Sequence, residues 1–263
     1  MHNAIEIAPI VDAILVVGGD GTMSDVAYSL YESGISTPII GIGSGSTNAG
    51  PLITVKSAEL DTLDTDALTV KDVGGILATI RGEKCGLGFN DIVFGDTVLS
   101  TLHERVVQVS AADYLKGKKV PAPPSKAGTI DSEVLIERSG KVIQIHKGEF
   151  GQMFAAPLEK RYLGKGLAGG TSLAAALGLP AGIAITSEPL INYSIGADDL
   201  LNMEPIITRT ASFRINDEVL VRGLKDGTSL NIDGNPIIIL EPDDEVHLSY
   251  IPDAAKVLKQ RLK

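Results

Sequence analysis

Five residues near the start of the chain, Gly18-Gly19-Asp20-Gly21-Thr22, combine what an anion site needs with something such a site should reject. Glycines let backbone approach phosphate oxygens with no Cβ in the way, and the amides that open a helix point outward with partial positive charge. A carboxylate placed there repels a bare phosphate. Asp20 makes chemical sense if it holds Mg2+ or takes the proton of an attacking hydroxyl, and both roles belong to phosphoryl transfer. The alternative is a turn in which Asp20 or Thr22 caps the helix that follows.

The neighbouring elements suit the first reading. Residues 13–17 are a short apolar run ending in glycine, and Val26, Ala27 and Leu30 repeat at helical spacing within 23–32. Residues 38–42 are a second apolar run, so a parallel strand-helix-strand unit is expected, with the glycine turn at the carboxyl end of its first strand. The Gly43-Ser44-Gly45-Ser46-Thr47-Asn48 loop follows the second strand at the same edge. Its amides and hydroxyls suit phosphate oxygens. A flexible connector is the plainer alternative.

Further along, residues 57–80 read as helical, with Asp66 or Thr69 as possible starts and Gly74-Gly75 as an interruption. After Arg81-Gly82 the texture changes to short strands at 91–94, 133–138, 141–146, 206–215, 218–221 and 236–240. Ala254, Val257, Leu258 and Leu262 form a helical stripe near the end. The expected fold class is therefore α/β plus β-rich. An abbreviated Rossmann-like parallel domain over 1–80 precedes an all-β, sandwich-like domain over 81–250, and a C-terminal helix over 251–263 packs back on the first domain.

Bulk composition narrows the partners. The 263 residues carry a formal net charge of -10, which repels polyanions and argues against nucleic acid. Lys116, Lys118 and Lys119 form a local basic patch before a Pro- and Ser-rich loop, read as solvated. A single cysteine, Cys85, excludes an internal disulfide, and the histidines at 2, 103, 146 and 247 are too scattered for a metal cluster. No apolar run approaches the roughly 18 residues of a membrane span. The expectation is a cytoplasmic protein with no membrane partner.

Gly18-Gly19-Asp20-Gly21-Thr22 after an apolar strand resembles the signature of NAD kinases and of diacylglycerol and sphingosine kinases, and more distantly that of phosphofructokinases. Phe89-Asn90-Asp91, Gly169-Gly170-Thr171-Ser172 and Ile232-Asp233-Gly234 follow in the order the NAD kinase family uses. The 43–48 loop is similar to that of the predicted inorganic polyphosphate/ATP-NAD kinases and of the lipid kinase branch. The resemblance implies ATP or inorganic polyphosphate as donor, Mg2+ or another divalent cation as cofactor, and NAD as acceptor.

It also implies roles by position. Asp20 would be catalytic and a possible Mg2+ partner, while Gly18, Gly19, Gly21, Thr22, Gly43, Ser44, Gly45, Ser46 and Asn48 would bind phosphate or nucleotide. Asn90 and Asp91 would hold the adenosine part of NAD, and Gly170, Thr171 and Ser172 would line the rest of the substrate site. Asp233-Gly234 reads as a hairpin turn with little part in catalysis.

Family members usually place one or two β-α units before the glycine turn, whereas this sequence reaches Gly18 almost at once. The expectations are a truncated start, or a sheet completed elsewhere in the molecule or by a neighbouring subunit. An exposed parallel edge points to a homo-oligomer, dimer or tetramer. A kinase acting on a lipid, sphingoid base or other metabolite, and a nucleotide-binding homologue without catalysis, are the competing readings.

Overall fold

The computed structural model describes residues 2–45, 48, 50–103, 105–158, 180–188 and 207–260. The first apolar run forms β1 (Ile14–Gly18), preceded by the short α1 (His2–Ile7). Gly19 ends the strand in extended backbone and is the N-cap of α2 (Asp20–Glu32), and β2 (Ile39–Gly43) returns parallel to β1. Helix α2 lays Met23, Ala27 and Leu30 on the sheet against Ile14, Val16 and Ile39. These three recur at spacings of about one turn, which is why the helix forms one apolar stripe.

β3 (Ile53–Lys56) pairs parallel with β2. The helix expected over 57–80 is not there. Residues 57–67 hold 3-10 turns, and β4 (Leu68–Ile80) is a strand whose alternation sends Val73 and Leu77 into one core and Ile76, Ala78 and Ile80 into the other. The glycines that interrupted the helical reading have a strand function: a Cβ on Gly74 would stand 2.2 Å from Tyr250 Oη, so its absence admits that ring.

The chain continues through β5 (Glu83–Gly88), β6 (Ile92–Gly95), β7 (Thr97–Leu102), β8 (Arg105–Ser110) and a one-turn α3 (Ala111–Leu115). Then come β9 (Gly128–Arg138), β10 (Lys141–Lys147), β11 (Gln152–Pro157), β12 (Ala181–Ser187), β13 (Arg209–Arg214) and β14 (Glu218–Leu224). The hairpin β15 (Ser229–Ile232) and β16 (Asn235–Ile239) precedes the long β17 (Val246–Gln260).

That last strand corrects the C-terminal helix expected over 251–263. β17 pairs antiparallel with β4 over both its halves, and the register shifts between Ile251 and Ala255. Before the shift Val246, Leu248 and Tyr250 are buried at a spacing of two. Ala254, inside the shifted stretch, and Val257, beyond it, are both buried, so the bulge breaks the strand alternation and their spacing of three looks helical in the sequence. Residues 261–263, the rest of that expectation, lie outside the described residues.

Among the described residues, β1-β2-β17-β14-β9-β10 run in that order through a nine-stranded sheet, with β3, β4 and β5 branching from it. β13-β12-β11-β6-β15-β16 form a six-stranded sheet, and β7 pairs with β8. The fold is thus mixed, with a small parallel α/β part and a larger antiparallel part. The β4–β17 ribbon joins them as a wall common to both cores. No helix among the described residues is long and apolar enough to cross a membrane.

Candidate active site

The glycine turn lies where β1 hands over to α2. Asp20 is the first residue of the helix, so the amides of Gly21 and Thr22 in its first turn have no intrahelical acceptor. Thr22 does not cap the helix, because Gly19 holds that position; the Thr22 side chain lies instead over Gly18, where a Cβ would come within 2.7 Å of it. The 43–45 backbone is pressed against this turn. Ser44 N–H donates to Gly18 O at 2.9 Å, and a Cβ on Gly45 would sit 2.8 Å from Gly19 Cα.

Asn48 closes that second loop on itself. Its Oδ1 accepts from Gly45 N–H at 2.8 Å and its Nδ2 donates to Gly45 O, with Asn48 in the left-handed region at φ 48°. The Gly45 amide is therefore engaged by Asn48 rather than open for a phosphate. Ser44 and Gly45 are exposed beside the exposed Thr22. Ser46 lies outside the described residues, as do Gly170, Thr171 and Ser172.

Asp20 is not a helix cap either. Its Oδ1 accepts from Gly50 N–H at 2.9 Å, a bond that ties the glycine turn to the far end of the second loop. A Cβ on Gly50 would stand 2.6 Å from Asp20 Oδ1 and 3.0 Å from Asn90 Oδ1. The Asp20 carboxylate and the Asn90 amide therefore flank the same bare Cα. The structure brings together two candidates that lie far apart in sequence, and Gly50 is the residue that makes room for both.

Asn90 and Asp91 sit where the chain leaves β5 in the large sheet and enters β6 in the smaller one. This crossover is held by Asp233 at the tip of the β15–β16 hairpin. The Asp233 carboxylate accepts from Phe89 N–H at 2.9 Å, Asn90 N–H at 2.7 Å and Asp91 N–H at 2.9 Å, and it also accepts from Ser24 Oγ of α2. In return Asp233 N–H donates to Asp91 O at 3.0 Å. Asp233 and Gly234 have φ 47° and 84°, the pair of left-handed residues that a two-residue hairpin turn requires.

The carboxylates here crowd one another. Burial and then the charge of Asp20 push Asp91 up to about 6. Burial and then the charge of Asp91 push Asp233 up to about 7, against the pull of its hydrogen bonds from Ser24 and the amides of Phe89 and Asp91. Asn235, just beyond the hairpin tip, lies on the glycine turn: a Cβ on Gly21 would meet its Nδ2 at 2.3 Å. Sequence reasoning passed over Gly50 and Asn235 and read Asp233 only as part of a turn. The Asp-Gly pair after β15 was the available signal for the last two.

Among the described residues no group of three or more His, Cys, Asp or Glu side chains is placed to hold a metal ion. Mg2+ commonly takes one or two carboxylates and completes its shell with phosphate oxygens and water, and a single Asp20 at the glycine turn fits that pattern. A hollow of about 630 Å3 bordered by Glu137, Arg138, Asp217 and Tyr250 lies elsewhere and contains none of these residues. It is open to solvent, and its size alone gives it no chemistry.

Comparison with known proteins bears on the family and the fold. Residues 2–68, which hold β1, the glycine turn, α2 and the second loop, match the diacylglycerol kinase catalytic domain family. An uncharacterized protein of Archaeoglobus fulgidus is 38% identical over 227 residues, covering 86% of this chain and 68% of its own length. The fold is similar to that of yeast NADH kinase complexed with NADH, at TM-score 0.56 and 13% identity over 99% of this chain; the chain spans 64% of that protein. It is also similar to that of a diacylglycerol kinase-like protein from Bacillus anthracis, at TM-score 0.53 and 17% identity over 98% of this chain and 81% of that one.

Proposed function

We propose that this chain, whose residues 2–68 match the diacylglycerol kinase catalytic domain family and whose fold is similar to that of yeast NADH kinase, is a phosphotransferase moving a phosphoryl group from ATP or inorganic polyphosphate to an alcohol, with NAD as acceptor on its adenosine ribose 2'-hydroxyl. The observation that carries this reading is the Asp20 carboxylate, fixed by Gly50 N–H at a helix start and flanking the same Cα as the Asn90 side chain. Phosphate-side and acceptor-side candidates then meet at one point.

In this mechanism the amides at the start of α2 and the backbone of Gly18, Gly19 and Gly21 take the donor's phosphate oxygens. Asn90 and Asp91 hold the acceptor, the amide reading a base edge and the carboxylate accepting from ribose hydroxyls. Asp20 removes the proton as the acceptor oxygen bonds to phosphorus and the bond to ADP or shortened polyphosphate breaks. The proton then passes from Asp20 to solvent. If Asp20 serves as a metal partner instead of as the base, its carboxylate would hold Mg2+ near the donor, and the ion would offset the charge on the phosphate oxygens.

A lipid acceptor is the second reading, favoured by the match of residues 2–68 to the diacylglycerol kinase catalytic domain. The test is a transfer assay with Mg2+, ATP or polyphosphate as donor, and NAD, diacylglycerol and sphingosine as acceptors. Labelled NADP as the sole product supports the NAD reading. Labelled lipid replaces it with the second reading, and no labelled product from any acceptor overturns both.

A further inference from the structure

We infer that Asp233 is a positioning residue that locks the acceptor-side turn to the phosphate-side helix. Its consequence for catalysis rests on the phosphotransferase reading, whereas the lock itself does not. Ser24 lies one helical turn after Asp20, so the two share a face of α2. Asp233 grips Ser24 Oγ with one carboxylate oxygen and the amides of Asn90 and Asp91 with the other, while Phe89 N–H reaches both. One side chain from the hairpin of the small sheet therefore fixes the helix that carries Asp20 relative to the turn that carries Asn90 and Asp91.

The chemistry suits a lock better than a ligand site. Asp233 is 8% exposed and its oxygens are taken by four donors. A hairpin turn requires no inward carboxylate: a turn alone is satisfied by Asn or Gly at this φ. Three consecutive amides converging on one oxygen pair form a small anion nest, and without an acceptor there they would be left unpaired in a buried place. Donor and acceptor must meet within a fraction of an ångström for efficient transfer, so a change in this spacing should be felt in turnover more than in donor binding.

The test uses the full chain. Ser24→Ala removes only the helix-side bond and leaves Asp233 and the turn chemically intact. Hydrogen exchange of the Phe89, Asn90 and Asp91 amides is expected to speed by about tenfold in this variant. In the transfer assay its kcat should fall about tenfold or more while the KM for ATP stays within about twofold. Asp233→Ala should lose more, and Asp233→Asn should restore most of that loss, since its Oδ1 still accepts from the amides and its Nδ2 can donate to Ser24.

Unchanged exchange at residues 89–91 in Ser24→Ala overturns the lock. A lowered unfolding midpoint with kcat and both KM values intact in the folded variants overturns its positioning role. Should the unaltered protein transfer phosphate to no acceptor, the proposed function fails, and the exchange result still decides whether the two elements are locked.

Discussion

Gly50 N–H donates to Asp20 Oδ1 at 2.9 Å, and the Gly50 Cα faces that oxygen so closely that a Cβ would come within 2.6 Å of it. The backbone at Gly50 is outside the left-handed region, so alanine meets no conformational strain there, only the carboxylate and the Asn90 amide. Gly50→Ala should therefore leave the fold in place and displace Asp20. The expected result is a kcat lowered about ten- to a hundredfold with little change in unfolding midpoint, read by steady-state transfer kinetics alongside thermal unfolding.

Asp20→Asn separates charge from shape at the same place. The amide oxygen can still accept from Gly50 N–H, so the loop contact survives, but the group can no longer take a proton or offset Mg2+ charge. Turnover should fall about a thousandfold, in the range of lost general-base and electrostatic contributions. Circular dichroism should be unchanged. A variant with native turnover removes Asp20 from the reaction.

The parts of this site that sequence displays are its local parts. Strand, glycine turn and helix at 14–32 depend on an apolar run, three glycines and a 3.6-residue period, all within one window. What sequence hides is contact between distant elements. Ser24 and Asp233 are 209 residues apart, and Gly50 matters only because Asp20 and Asn90 both reach it in the folded chain. The Asp233-Gly234 pair was visible as a turn, yet nothing local tells that its carboxylate faces inward. The errors in secondary structure share one origin: mid-strand glycines in β4 and a bulge in β17 distort the alternation by which strands are recognised.

The crowded carboxylates give the protein a pH signature. Asp91 and Asp233 ionise near 6 and 7 in the fold and near 3.8 when unfolded. Between those values the native state binds more protons than the unfolded state, so stability must fall as pH rises and level off above about 7. Urea midpoints measured without ligand should decline from pH 5 to pH 8. Asp233→Asn, which cannot ionise, should flatten the decline. A midpoint that rises over this interval in the unaltered protein contradicts the assignment.

The C-terminal strand can be told from a helix by two neighbouring substitutions. On a helix with Ala254, Val257, Leu258 and Leu262 as its apolar stripe, Val257 and Leu258 would be buried alike. In β17 adjacent residues face opposite sides of the sheet: Val257 is 0% exposed in the core beneath α2, while Leu258 is half-buried on the other face. Val257→Ala should then cost about 2 kcal/mol, from lost burial and the cavity left behind. Leu258→Ala, though it removes more carbon, should cost less than about 1 kcal/mol. Chemical denaturation of the two variants measures the difference, and equal losses would favour the helical arrangement.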